Sequence, residues 1–187
     1  MKKIILVLVS TLAVMSCATT IAVTDSNKTV NNFTYNNGNV TWSEVFYMKP
    51  AEADDVKDWF RDNFIIRSER GNSLTGETTQ APLPMKEAGL SWGSTTIILQ
   101  KPCTVYFTTD FKEDRYRVTV NRIIWEPQMS AISYGIASSV GPMSLNDIAT
   151  TKNGYNSTFY NQTSEQLYLM LEYLFTPKLE ARANDDW

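Results

Sequence analysis

The stretch that decides the fold runs from Cys103 to Trp125 and reads CTVYFTTDFKEDRYRVTVNRIIW. Up to Phe111, apolar and polar side chains alternate, and after a charged turn at 112–114 the alternation resumes at Arg115. A period of two is typical of strands that bury one face of a sheet. The stretch therefore predicts an antiparallel hairpin with one buried face and one wet face.

The alternation changes phase at Ile123, which predicts a β-bulge near Asn121 or Arg122. On the wet face of this hairpin, Tyr106, Arg117 and Asn121 are the candidate residues for contact with a ligand or partner. The alternative interpretation is that these three side chains are exposed and have no function.

Upstream of the hairpin, the chain predicts a strand over 40–48 with a bulge near Glu44, and then a helix over 50–66. Asn37-Gly38 lies before the strand, between two runs of β-formers, and this dipeptide favours a hairpin turn. Residues 67–85 are polar with scattered glycine and proline, which is typical of a loop. Short strands are predicted over 88–92, with Trp92 in the core, and over 95–100.

Downstream of the hairpin, 128–162 predicts a last, imperfect strand and a short helical turn capped by Ser144. Thr163 with Gln166 three residues later matches a capping box. It predicts a helix over 164–176 that is apolar on nearly all sides, so that Leu169 and Tyr173 are candidate contacts for a protein partner.

This order of elements predicts a single α+β domain over 33–187. We expect an antiparallel sheet of about five strands in the order β-α-β(4)-α. The helices should lie on one face of the sheet, since the other face is polar in the hairpin.

The N-terminus predicts export across a membrane. Lys2 and Lys3 precede an apolar run and small residues, the order of a secretory signal, which we place at 1–16. The preceding Val14-Met15-Ser16 makes Cys17 a candidate lipidation site, which would hold the protein at a membrane of the cell envelope. Ordinary cleavage after Ala18 is the alternative. A polar tether is expected over 17–32.

Charge and composition argue against several classes of function. Loss of Lys2 and Lys3 leaves 15 basic against 20 acidic residues and changes the net charge from −3 to −5, which disfavours nucleic-acid binding. The chain has no histidine, the usual general base and the commonest zinc ligand. We therefore expect no catalytic residue, no metal site and no cofactor, and Cys103 is interpreted as a core residue.

Four stretches resemble an uncharacterised family of bacterial exported proteins and lipoproteins with a TATA-binding-protein-like fold. They are VTWSEVF at 40–46, DWF at 58–60, KEAGL at 86–90 and DRYRVTV at 114–120. The resemblance covers about residues 40–126. It implies export and this fold, and it implies no activity or catalytic residues.

These observations predict a non-catalytic binding or assembly module of the cell envelope, on the periplasmic side of a membrane or at the cell surface. Two alternatives stay open. One is a carboxylate-dependent hydrolase of cell-wall or polysaccharide substrates, which would need two acids facing each other in a cleft. The other is a carrier of a small apolar ligand, which would need a cavity between the sheet and the last helix.

Overall fold

The computed structural model describes residues 20–24, 27–126, 128–129 and 139–179. The predicted signal peptide, Cys17 and residues 180–187 lie outside the described residues. Most of the strand expected after 128 lies outside them as well.

Within the described residues, the chain forms short and long strands and three helices. The strands are β1 (Thr20–Ala22), β2 (Thr29–Val30), β3 (Phe33–Asn36), β4 (Asn39–Tyr47), β5 (Ile65–Arg70), β6 (Ser73–Glu77), β7 (Cys103–Phe111), β8 (Arg115–Trp125), β9 (Gln128–Met129), β10 (Ser139–Val140), β11 (Met143–Ser144), β12 (Thr150–Thr151) and β13 (Gly154–Asn156). The helices are α1 (Ala53–Asn63), α2 (Leu145–Ala149) and α3 (Ser164–Phe175), with 3-10 turns at Pro50–Glu52 and Ile97–Gln100 and a π turn at Phe159–Thr163.

The main sheet is antiparallel and has eight strands, in the order β2-β3-β4-β8-β7-β6-β5, with β11 also paired to β8. The α+β class is therefore confirmed, and the expectation of about five strands is wrong. The largest difference is the hairpin β5–β6, which lies partly in the predicted loop. Strand β5 contains Arg67, Glu69 and Arg70, so its β-structure comes from pairing with β6, which in turn pairs with β7, rather than from local propensity.

The predicted hairpin is β7–β8, and its buried residues alternate strictly along β7. Tyr106 pairs with Arg122 and Phe107 pairs with Val120, which leaves Asn121 as an extra residue in β8. The bulge predicted at this position is thus confirmed.

Helices α1 and α3 pack on the apolar face of the sheet. Phe60 of α1 and Phe175 of α3 lie with ring centroids 5.9 Å and 5.0 Å from Phe107 of β7. Tyr116 of β8 lies 5.6 Å from Phe60 by the same measure, and its hydroxyl donates to the Phe175 carbonyl oxygen at 2.9 Å. One aromatic cluster therefore joins both helices to the central strands.

Asparagine and glycine form the first two turns of the sheet. Asn37 and Gly38 have φ of 50° and 84°, and they join β3 to β4 as predicted. Asn31 and Asn32, also at positive φ, join β2 to β3 in the same way. The bulge predicted near Glu44 is wrong, because β4 pairs with β8 in an unbroken register.

Both strands predicted in the segment that precedes β7 are wrong, and so is the core position of Trp92. Residues 88–92 form turns rather than a strand, since Gly89 takes a φ of 77°, and Trp92 is 61 % exposed rather than in the core. The 95–100 segment ends in a 3-10 turn.

The capping box predicted at the start of α3 is not formed. Gln166 does not complete it, because its amide oxygen accepts from the Thr96 backbone N–H at 2.9 Å instead.

Part of the predicted tether is folded against the domain. Strand β1 pairs with β13, with Thr20 opposite Asn156 and Ala22 opposite Gly154. The hydroxyl of buried Tyr155 donates to the carbonyl oxygens of Lys28 and Phe33, each at 2.9 Å. Strand β1 and the chain at Lys28 are thus held to the domain.

Candidate functional site

The polar face of the main sheet, which we call the open face, carries a straight row of hydroxyl side chains. Successive strand pairings place them directly opposite one another across five strands. The row consists of Ser68, Thr75, Thr108, Thr119 and Ser43. Neighbouring strands lie about 4.8 Å apart, so the row spans roughly 19 Å.

A charged row runs beside the hydroxyl row, one same-face position along the strands. Here Arg117 pairs with Asp110 in register, and its Nη2 donates to Asp110 Oδ2 at 3.1 Å. Ser73 lies opposite Asp110 on the other side, and Val45 lies opposite Arg117. The ion pair is half exposed, so it orders the two side chains more than it stabilises the fold.

A third row lies on the opposite side of the hydroxyls. The guanidinium of Arg122 stacks over the ring of Tyr106, with 5.3 Å between its Cζ and the ring centroid. Glu77 pairs with Tyr106 in register and accepts a hydrogen bond from Arg67. This end of the open face therefore presents an aromatic ring between the guanidinium of Arg122 and Glu77, which is ion-paired with Arg67.

The three predicted contact residues lie on the open face, and they are not brought together. Tyr106 and Arg117 are two rows apart, roughly 13 Å along the strands. Asn121 is the extra residue of the bulge and is exposed. Their function stays a prediction. The hydroxyl row was missed, because only the strand register shows which residues of distant strands lie opposite one another.

One end of the open face forms a pocket of about 230 Å³. Its walls come from the ends of β4, β7 and β8, and its lining residues are Val45, Tyr47, Asp110, Lys112, Arg115 and Arg117. Tyr47 is 77 % exposed and pairs in register with Arg115. Three cations and one carboxylate line this pocket, although the whole protein is acidic.

Leu169 and Tyr173, the predicted partner contacts, lie on the outer side of α3 and are half-buried. Together with Glu87, Ala88 and Lys178 they contribute to a groove of about 270 Å³. The Lys178 ammonium donates a hydrogen bond to the Tyr173 hydroxyl. A contact with a partner at this groove stays a prediction.

A carboxylate-dependent hydrolase would need two acids in a cleft, whereas the acidic groups at 52–58 and 113–114 lie at the surface. Asp58 pairs with Arg61, and Glu113 and Asp114 are exposed in the turn between β7 and β8. Hydrogen bonds from Lys49 lower the pKa of Glu52, whereas a general acid needs a raised carboxyl pKa. Within the described ranges no three of the side chains Cys, Asp and Glu lie close enough together to hold a metal ion.

The space between α3 and the sheet is filled with aromatic rings. Phe64 lies 5.0 Å from Phe107 and 5.4 Å from Phe175 between ring centroids. A small apolar ligand would have to displace this cluster. Cys103 lies in the same core, where burial raises the pKa of its thiol to about 12 and keeps it protonated.

No helix in the described part of the chain is long and apolar enough to cross a bilayer.

Comparisons with known proteins gave two solved structures of similar shape. One is a TBP-like protein from Parabacteroides distasonis ATCC 8503, with a TM-score of 0.44 and 11 % identity over 75 % of this chain and 90 % of that one. The other is a DUF4468 family protein from Bacteroides ovatus ATCC 8483, with a TM-score of 0.41 and 10 % identity over 84 % and 98 %. Neither name states an activity. No family model and no curated protein matches the sequence.

Proposed function

We propose that this protein is an exported, lipid-anchored module of the bacterial cell envelope that binds a glycan and performs no chemistry on it. Export through residues 1–16 and attachment through Cys17 rest on the sequence pattern. The glycan is proposed from the open face, which has the chemistry and the shape for a chain of sugar hydroxyls.

The hydroxyl row is the observation that carries this proposal. Each serine or threonine hydroxyl both donates and accepts, as sugar hydroxyls do, so that either partner can satisfy the other. The row lies on paired strands of one sheet, which keeps its side chains in a fixed plane. A surface that is already ordered loses little conformational entropy when it binds.

The residues beside the row support the same function. Tyr106 presents a ring that Arg122 holds in place, and aromatic rings pack on the apolar faces of sugars while their edges stay wet. Asp110 and Arg117 add charged hydrogen-bonding groups next to Thr108 and Thr119.

Affinity electrophoresis in gels that contain neutral polysaccharides tests the proposal. We expect retardation of the wild type and its loss in the triple variant Thr75→Val, Thr108→Val, Thr119→Val, which removes three hydroxyls and keeps the β-branched shape. Thr158→Val, an exposed threonine outside the sheet, is the matched control. Equal retardation of wild type and triple variant in every gel would contradict the proposal.

The lipid anchor is tested separately, by labelling cells with radioactive palmitate. Wild type should incorporate label and Cys17→Ser should not. Equal labelling of the two proteins would exclude Cys17 as the acylated residue.

A further inference from the structure

The pocket at the end of the open face has a net positive lining. Lys112, Arg115 and Arg117 contribute three positive charges against the single carboxylate of Asp110. The ammonium of Lys112 has no carboxylate partner within the described ranges. Basic groups gathered in one concave site favour an anion, because their fields add where solvent is partly excluded.

The ion pairs around the pocket leave some N–H donors of Arg115 and Arg117 available to a ligand. Arg117 gives one nitrogen, Nη2, to Asp110, and Arg115 meets Asp114 through Nε at 3.6 Å. Since a guanidinium has five N–H groups in a fixed plane, each arginine keeps donors that match a carboxylate. Asp110 and Asp114 therefore orient the two guanidinium groups while the pocket stays cationic.

An exposed apolar wall adjoins these charges. Val45 is 39 % exposed and lies opposite Arg117, and Tyr47 is 77 % exposed and lies opposite Arg115. Large apolar side chains so exposed on a central strand leave surface for a ligand to cover. A ring beside two guanidinium groups suits a ligand that carries both an apolar face and a negative charge.

We infer that the pocket of Val45, Tyr47, Asp110, Lys112, Arg115 and Arg117 binds a carboxylate-bearing sugar unit, so that the preferred ligand is an acidic polysaccharide. This inference rests on the proposed function and names its ligand class. The charged row lies next to the hydroxyl row, so a uronic acid unit in the pocket continues into sugar units that lie over Thr119 and Thr108. Tyr47 packs on the face of the acidic sugar, and the three cations receive its carboxylate.

A matched pair of polymers tests the inference with the full-length protein purified in detergent. The probes are polygalacturonate and its methyl ester, which have the same backbone and differ in charge. Wild type should bind the acid form about tenfold more tightly, the effect of one charge-assisted hydrogen bond. The preference should weaken with added salt.

Two variants locate the site, and one serves as control. Lys112→Gln with Arg115→Gln should abolish the preference for the acid form, so that this variant binds the two polymers equally. Tyr47→Ala should weaken binding to the acid form about tenfold, because its stacking surface is lost. Lys152→Gln, an exposed lysine in the turn between β12 and β13, should keep the full preference.

The two proposals fail in different ways. Equal binding of both polymers by wild type, with loss of both in the threonine-to-valine variant, would overturn the acidic-sugar inference and support the glycan proposal. Absence of binding to any glycan would overturn both. Binding of anionic lipid vesicles or of inorganic phosphate in place of the acid polymer, lost in the glutamine variant, would assign the pocket to a phosphate group and overturn the inference.

Discussion

Single buried polar atoms show how tightly the two layers of this protein are joined. The hydroxyl of Tyr116 lies in the aromatic core and donates to the carbonyl oxygen of Phe175, the last residue of α3. That carbonyl belongs to the last turn of a helix and has no partner within the helix. Burial raises the pKa of Tyr116 well above its usual range, so the hydroxyl keeps its proton. One side chain of the sheet therefore caps the helix that covers it.

Replacing Tyr116 by phenylalanine keeps the ring and removes this cap. We expect the free energy of unfolding to fall by about 1–3 kcal/mol, because a buried carbonyl oxygen loses its donor. Urea unfolding followed by tryptophan fluorescence measures the loss. Tyr47→Phe, which removes an exposed hydroxyl, should leave the midpoint unchanged. Equal midpoints for Tyr116→Phe and wild type would show that the hydrogen bond contributes nothing.

At the scale of elements, the small sheet of β1, β12 and β13 depends on one glycine. A Cβ at Gly154 would lie 2.2 Å from the carbonyl oxygen of Ile21, far closer than atoms approach without bonding. Strand β1 packs at this position only because residue 154 has no side chain. Gly93 has open space around it and serves as a matched site.

Gly154→Ala should therefore detach β1 from the domain. We expect a loss of about 1–3 kcal/mol in the free energy of unfolding, the usual cost of forcing an extra methyl into a packed site. The segment around Thr20 should also become sensitive to proteases. Limited proteolysis with mass spectrometry checks this, and Gly93→Ala should be cleaved in the same way as wild type. Unchanged protection of the segment in Gly154→Ala would contradict the role given to this glycine.

The sequence predicted the elements whose signal is local, and it missed those that depend on distant partners. The hairpin β7–β8, its bulge and the Asn37-Gly38 turn follow from alternation and turn chemistry within a few residues. Strand β5 has no such local signal. It is stabilised by pairing with β6, where Arg67 of β5 forms an ion pair with Glu77 of β6. The same division between local and distant signals applies to the candidate site. Arg117 was found from one strand, whereas the hydroxyl row and the pocket exist only once β4 and β6 take their places.

At the scale of the whole molecule, the buried ionisable groups make the protein less stable at alkaline pH. Burial raises the pKa of Cys103 from 9.0 to about 12 and that of Tyr155 from 10.0 to about 12. Both groups are neutral when protonated, so the folded state holds its protons over a range in which the unfolded chain loses them. The contribution of these two groups to the free energy of unfolding is fully present below pH 9 and is lost as the pH rises toward 12.

Thermal unfolding at pH 8, 9, 10 and 11 should show this dependence. We expect a nearly constant Tm up to pH 9 and a steady decrease above it. The decrease should be smaller in Cys103→Ala, which lacks the thiol and is compared with its own Tm at pH 8. An identical slope in wild type and Cys103→Ala would show that the thiol does not contribute. A Tm that rises above pH 9 would contradict the direction of both pKa shifts.

The pairing of β1 with β13 would limit the distance between the domain and a membrane to which Cys17 was anchored. If Cys17 carries lipid, three residue steps separate it from Thr20 of β1, and three residue steps can span at most about 10 Å. A tether this short would keep the protein close to the lipid headgroups and restrict its orientation. Gly154 would then determine the distance between the domain and the lipid surface. Loss of the β1 pairing would lengthen the tether and let the sheet move away from the lipid.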